Sequence, residues 1–248
     1  MQRYFLTEAP ETDEFDLPAD IAHHLMTVLR GKVGTMAEFV YPDRETMVVA
    51  KVSEIGDDVT RMTVVERVEA NVELPVQATL ILGLAKGDKP ELVVQKATEL
   101  GVHHIIFVET DWSVVHWGMK ADKKIARLAK IAQGAAEQSH RLTVPDVQYL
   151  PNLQALTLPE AMIKIVAWEE SAKQGEAAML AQQFAQLRSG DEVAFLVGPE
   201  GGLKEAELEL LTEKFGFVAA GLGPRILRAE TAPLYALSAL SFALELER

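Results

Sequence analysis

Cysteine is absent from the 248 residues, so neither a disulfide nor a thiolate metal site can form. Long apolar runs are missing too, and no stretch approaches the roughly 20 residues that a membrane helix needs. The first eight residues, Met1 to Glu8, lack the apolar core and cleavage pattern of a signal peptide. A metal-binding histidine pattern is also lacking. His23-His24 and His103-His104 are adjacent pairs, neighbours on a helix or strand point in different directions, and no H-E-x-x-H spacing occurs, so no metal site is expected. Finally, there is no excess of positive charge. The net charge is −13; residues 1–70 hold 7 basic against 14 acidic side chains, and residues 71–248 hold 17 against 23. Neither part is a basic domain, which excludes generic polyanion binding and confines any nucleic-acid contact to a local, salt-sensitive patch. Together these absences predict a soluble, cytoplasmic protein, with a sizeable core in one large or two smaller domains.

What is present falls into two rhythms. The first ~70 residues read as mostly β after one short helix, Ala19 to Arg30. Strands are expected at Thr35–Tyr41, Met47–Ile55 and Arg61–Val68. Turns at Gly31 and Gly34, at Tyr41-Pro42-Asp43 and at Gly56-Asp57-Asp58 separate them. This pattern suits a small β-barrel or sandwich, followed by a linker, Ala70 to Pro75. The acidic run from Glu8 to Asp20 reads as a solvated face.

From residue 76 strands and helices alternate. Ala78–Leu84 and Ile105–Glu109 flank a helix from Lys89 to Leu100, with Asp88 as N-cap, Pro90 in its first turn and Gly101 just past its end. A long helix is expected over Lys123–Ser139, with Ile125, Leu128, Ala132 and Ala135 on one face. Strand Ile163–Trp168, helix Ala177–Leu187, strand Val193–Val197 and helix Lys204–Phe215 follow. Thr231 is placed to cap a last helix, Ala232–Leu246, whose leucines suit a core or a dimer interface. Such alternation implies an α/β fold with a mostly parallel sheet covered on both faces.

Two glycine-bearing turns carry the chemistry. Gly198-Pro199-Glu200-Gly201-Gly202 follows a buried-strand pattern, and Gly221-Leu222-Gly223-Pro224 leads into Arg225, Arg228 and Glu230 before the last helix. Neither is a P-loop or a G-x-G-x-x-G turn. Taken alone, the first also reads as a tight strand-to-helix connection and the second as a loop with surface ion pairs. Yet ligand sites favour strand ends in α/β sheets, and glycine lets a ligand approach the main chain. Glu200, between a proline and two glycines, is placed to face a ligand or a backbone amide. Two arginines are suited to gripping a phosphate or a base edge.

These two motifs resemble the signature of the ribosomal RNA small-subunit methyltransferase E family, in the SPOUT class of trefoil-knotted methyltransferases. The resemblance extends to Gln95-Lys96-Ala97-Thr98-Glu99-Leu100-Gly101, to Ala136-Glu137-Gln138-Ser139 with Arg141, to His24-Leu25 with Val28-Leu29-Arg30, and to Arg3-Tyr4-Phe5. It therefore covers nearly the whole chain.

The resemblance implies a PUA-like RNA-binding β-barrel over residues 1–72 and a knotted α/β methyltransferase domain over 73–248. It implies S-adenosylmethionine as cofactor, a homodimer, and 16S rRNA or the small ribosomal subunit as partner, with methylation of uridine at N3. On this reading Leu196, Gly198, Glu200, Gly201, Gly202, Leu222, Gly223, Ile226, Leu227 and Thr231 line the cofactor pocket. Arg225 or Arg228 stabilises the uridine anion on O2 or O4. Glu230 takes the N3 proton or orders an arginine. Arg3, Arg30, Lys32, Lys86 and Arg141 are the expected RNA contacts.

Five positions depart from the family pattern. Trp112 stands where arginine is usual and offers a base-stacking surface instead. His140 replaces a common glycine, Leu142 a common asparagine, Leu128 a frequent tryptophan, and Lys204 a helix-capping serine or threonine. With the acidic balance, these keep two alternatives open: a ribosome-associated RNA-binding protein without catalysis, or a knotted methyltransferase acting on another RNA.

Overall fold

The computed structural model describes residues 1–57, 59–69, 72–169 and 179–247. Two compact units emerge: Met1–Glu73 with Ala136–Thr143, and Leu74–Ala135 with Val144–Arg248. Asp58 of the expected third turn, Ala70 and Asn71 of the expected linker, and Ala177 and Ala178 at the start of an expected helix lie outside the described residues.

The first unit is built on five strands: β1 (Gln2–Phe5), β2 (Glu14–Asp16), β3 (Met36–Val40), β4 (Met47–Ile55) and β5 (Thr60–Val68). Their order is β1-β3-β4-β5-β2, with only β1 and β3 parallel. Strands β1 and β2 were not foreseen; β2 lies within the acidic run read as a solvated face. The expected helix Ala19–Arg30 is a single α-turn, α1 (Ala19–Ala22), continued by a π-helical stretch, His23–Val28. Tyr4, Leu25, Phe39, Val48, Ala50 and Met62 fill the core.

Ala136–Thr143 belongs with this unit through charge as well as contact. Arg3 and Arg141 are 3% and 2% exposed. Arg3 Nε donates to Glu38 Oε2 at 2.8 Å, and its Nη1 donates to the carbonyls of His140 and Arg141. Arg141 pairs with Glu73, which also accepts from the Leu142 and Thr143 amides at 2.9 and 3.1 Å. Both arginines were expected to touch RNA. The structure instead buries them against carboxylates and carbonyls of their own unit, because a buried guanidinium requires such partners. Two departures from the family pattern are explained here as well. His140 sits at φ 57°, where glycine is at ease, and is held by Glu38 Oε2 2.9 Å from its Nδ1. Leu142 is buried against Val40 and Met47.

The second unit holds six strands: β6 (Gln77–Gly83), β7 (His104–Val108), β8 (Asp146–Leu150), β9 (Ile163–Ala167), β10 (Glu192–Val197) and β11 (Val218–Ala220). Every pairing is parallel, in the order β11-β9-β10-β6-β7-β8. This is the expected α/β architecture with a parallel sheet; β8 and β11 are additions to the expected strands. Alternation along β6 sends Leu80 and Leu82 to one face and Ile81 to the other. Helices α2 (Lys89–Glu99), α3 (Ala121–Gln138) and α6 (Thr231–Ser241, continued as a π-helical Phe242–Leu246) supply residues to the first face. Phe184, at the end of α4 (Met179–Phe184), joins that layer and packs edge-on against Phe195. Helix α5 (Glu205–Glu209), continued as a π-helical Leu210–Lys214, covers the second face with Leu211.

Leu128 takes its place in the first layer, where Trp117 stacks on Tyr149 with ring centroids 5.6 Å apart. Among the described residues no helix is long and apolar enough to cross a membrane.

Candidate active site

Strands β6 and β10 are neighbours and run parallel, so the segments leaving their C-terminal ends meet. Their approach is close enough to dictate sequence. A Cβ on Gly83, the last residue of β6, would lie 2.4 Å from Pro199 Cδ, and one on Gly198 would lie 3.0 Å from the Gly202 carbonyl carbon. Gly202 adopts φ 77° and Gly223 φ 89°, the left-handed region in which glycine carries no steric penalty. Gly201 lies against Trp112, whose Cβ would stand 3.2 Å from a Cβ there. The indole that replaces the family's arginine thus borders this turn, while remaining 46% exposed.

Lys89, in the first turn of α2, ties the two motifs together. Its Nζ donates to Glu200 Oε1 at 2.8 Å and lies 3.3 Å from Glu230 Oε2. Glu200 Oε1 also accepts the Lys86 amide at 3.1 Å. Of the two placements open to Glu200, the backbone amide is the one found. Burial raises the Glu200 pKa, but the Lys89 ammonium and the Lys86 N–H outweigh it and leave the carboxyl below its ordinary value. The hydrogen bond to Glu200 pushes the Lys89 pKa up in turn. Glu230 Oε2 is buried, and the Lys89 ammonium beside it is not aligned for a hydrogen bond, so this oxygen keeps a vacant acceptor position. A narrow hollow opens here, between Gly83, Lys89, Val197, Gly198, Ala229 and Glu230.

The expected residues divide accordingly. Gly198 and Glu230 line the hollow; Glu200 braces it through Lys89. Val197 lines it rather than Leu196, which is fully buried in the second apolar layer because strand alternation turns it to the opposite face. Leu222 and Leu227 pack partly buried against the first layer, while Ile226 points outward, 74% exposed. Thr231 begins α6 but caps nothing with its side chain, and Asp88 likewise makes no capping bond at α2. Arg225 and Arg228 are exposed, and no carboxylate pairs with either among the described residues. Glu230 therefore does not order an arginine; Lys89 is its partner. Arg30, Lys32 and Lys86 are exposed.

The loop carrying Trp112 is pinned by Glu207, whose Oε1 accepts the Asp111 amide at 2.9 Å and whose Oε2 accepts the Lys204 amide at 2.9 Å. Lys204 Nζ reaches back to Asp111 Oδ2 at 2.8 Å. Lys204 thus dispenses with the family's hydroxyl cap because Glu207 caps the helix from inside its first turn. Sequence reasoning missed Lys89, Gly83 and Glu207. The usable signal for the first two was position: Gly83 and Lys89 bracket the exit of a buried strand into a helix.

Three loops at the carboxyl ends of parallel strands, glycine-lined and braced by one lysine, make a site for a ligand held largely by main-chain atoms. The family model of an RNA methyltransferase domain matches residues 72–241. The chain is 41% identical to ribosomal RNA small subunit methyltransferase E of Bacillus subtilis, over 100% of this chain and 99% of that one. It superimposes on the crystal structure of ribosomal RNA small subunit methyltransferase E from Neisseria gonorrhoeae bound to S-adenosyl methionine, with TM-score 0.82, 30% identity and 97% of each chain covered. A putative methyltransferase from Legionella pneumophila in complex with the same cofactor gives TM-score 0.79 at 28% identity, again over 97% of both chains. The chain belongs to the ribosomal RNA small subunit methyltransferase E family.

Proposed function

We propose that this protein uses S-adenosylmethionine to methylate N3 of a uridine in 16S rRNA. The reading is carried by the union of the two glycine-bearing motifs around one hollow through Lys89, in a chain of this family. The residues present fit such a cofactor. Gly83 and Gly198 let the two strand exits pack backbone against backbone at the edge of the hollow, and Glu230 Oε2, buried beside Lys89, keeps a vacant acceptor position for a donor on the ligand. Gly198, Gly201, Gly202 and Gly223 would hold it through main-chain groups, with Ala229 and Val197 as apolar walls. When bound, the cofactor supplies a methyl group already activated on a sulfonium.

The chain's own task is then alignment and removal of the acceptor's proton. Uridine N3 carries a weakly acidic proton between two carbonyls. Arg225 and Arg228, unpaired and exposed on the loop before α6, are free to stabilise negative charge on O2 or O4. Glu230 Oε2, fixed beside the hollow by Lys89, is the position at which the N3 proton would be received, directly or through water. Trp112, exposed beside Gly201, offers a face on which a base stacks.

The wider reading places a deep trefoil knot in the second unit, a PUA-like RNA-binding barrel in the first, and a homodimer in solution. The crossed strand order, in which β11 and β9 lie beyond β10, supports the knot. The decisive experiment combines purified protein, labelled cofactor and small ribosomal subunits, followed by nucleoside mass spectrometry. N3-methyluridine is the expected product, and Arg228→Ala should abolish its formation while leaving cofactor affinity intact. A methyl group on a different nucleoside would overturn the assignment, and full turnover by the variant would remove Arg228 from the catalytic residues.

A further inference from the structure

Helix α3 carries a charge pattern at odds with the rest of the molecule. From Gly118 to Gln138 it and its preceding turn hold five basic residues, Lys120, Lys123, Lys124, Arg127 and Lys130, against two carboxylates, Asp122 and Glu137, in a chain of net charge −13. At 100° per residue Lys123, Arg127 and Lys130 fall within an arc of about 60°, and Lys124 extends it to about 120°. The opposite face is buried through Leu128 and Ala132. Lys123, Arg127 and Lys130 flank a shallow surface groove whose floor includes Ala126 and Ile131.

The stripe is not consumed by internal pairing. Lys120, Lys123 and Lys130 have no carboxylate partner among the described residues. Lys124 Nζ sits 5.4 Å from the centre of the Trp117 ring, which orients it without neutralising it. Arg127 donates to Glu91 Oε2 at 2.9 Å, and Glu91 lies in the first turn of α2 beside Lys89. The stripe therefore begins next to the element that braces the candidate active site.

We propose that this face of α3 docks the sugar–phosphate backbone of the substrate RNA, beside the nucleotide that enters the site. The inference rests on the reading of the chain as an rRNA methyltransferase. Charge complementarity selects the partner: unpaired lysines gathered in one line on an acidic protein form a local patch whose field attracts a polyanion. The contacts are to phosphate, so they position the strand and carry no base specificity.

The test uses the full-length protein and a fluorescent 16S rRNA fragment, titrated over a range of salt concentrations. Lys123→Gln/Lys130→Gln should flatten the slope of log affinity against log salt by roughly 1.4 to 1.8, and weaken binding by about 15- to 30-fold near 0.15 M salt. KM for RNA should rise correspondingly, with kcat at saturating RNA and cofactor affinity unchanged. Lys123→Arg/Lys130→Arg should behave as the parent. Unchanged slope and affinity in the glutamine variant would overturn the proposal, as would a change in sedimentation without a change in RNA affinity, which would assign the stripe to a second copy of this acidic chain. Parent protein that binds RNA with the steeper slope yet forms no methylated nucleoside would sink the methyl-transfer reading and leave the stripe in place.

Discussion

Lys89 is a small basic centre for two carboxylates from different loops, and the sign of each pKa shift says when that tie holds. The Glu200 carboxyl sits below its ordinary value, so its contribution is complete above about pH 4.3 and is lost as the pH falls through the lower folded value. Lys89 is pushed up, so its contribution is complete below about pH 10.4 and disappears only as the pH rises beyond that. The brace is thus intact across the neutral range. Affinity for S-adenosylhomocysteine, followed by calorimetry, should drop on acidification in the parent protein. Glu200→Gln should remove that acid limb, and an acid limb that persists in the variant would locate the titration elsewhere. Gly83→Ala tests the same junction sterically. The added methyl meets Pro199 Cδ at 2.4 Å within two rigid backbones, and overpacking of this kind costs about 1–3 kcal/mol. The GPEGG turn is expected to shift, with cofactor affinity falling at least ten-fold while the circular dichroism spectrum is retained.

Elements explain what single residues do not. Helix α5 has lysine at its N-cap where the family pattern favours a hydroxyl, and Glu207 compensates by accepting the Lys204 and Asp111 amides at once. Glu207 is buried, so Glu207→Ala strands two N–H donors, and the loss should be about 1–3 kcal/mol in urea unfolding. A change within a few tenths of a kcal/mol would mean water replaces the carboxylate. Legibility in the sequence follows the same logic of elements. Strands β4, β6, β7, β9 and β10 and helices α2 and α3 were legible because each is buried by a continuous apolar run or one apolar stripe. Strands β1 and β2 were not, since three or four residues set among polar neighbours form a strand only once a partner supplies hydrogen bonds. Strand β11 was masked by small residues, Val218-Ala219-Ala220, that pack only because β9 lies beside them. At the site, glycine motifs and free arginines showed themselves by type and spacing. Lys89 did not, because a lysine opening a helix looks the same whether it faces water or two carboxylates. Leu196, expected at the cofactor pocket, turns its side chain into the second apolar layer while its neighbour Val197 lines the hollow, a change of face that alternation imposes between adjacent strand residues.

At the scale of the whole molecule, the chain cannot be divided by a single cut. The first unit takes Ala136–Thr143 from far along the sequence and binds it by buried charge. Glu73 is the centre of that attachment, receiving the Arg141 guanidinium and the amides of Leu142 and Thr143. Removing one partner of a buried pair leaves the other charged without compensation, which costs about 3–5 kcal/mol, whereas a solvent-exposed pair such as Arg67–Asp13 contributes about 1 kcal/mol or less. Glu73→Ala should therefore lower hydrogen-exchange protection of the β3 and β4 amides far more than Asp13→Ala does. Because the Arg141 pair is shielded from solvent, the Glu73→Ala defect should persist at high salt, while any Asp13→Ala effect should fade. A fragment ending at Glu73 lacks Arg141 and Leu142 altogether, and it should show the same loss of protection in β3 and β4 even with every one of its own residues intact. If that fragment protects its strands as fully as the intact chain, then the strands alone stabilise the first unit and the inserted segment is a passenger on it.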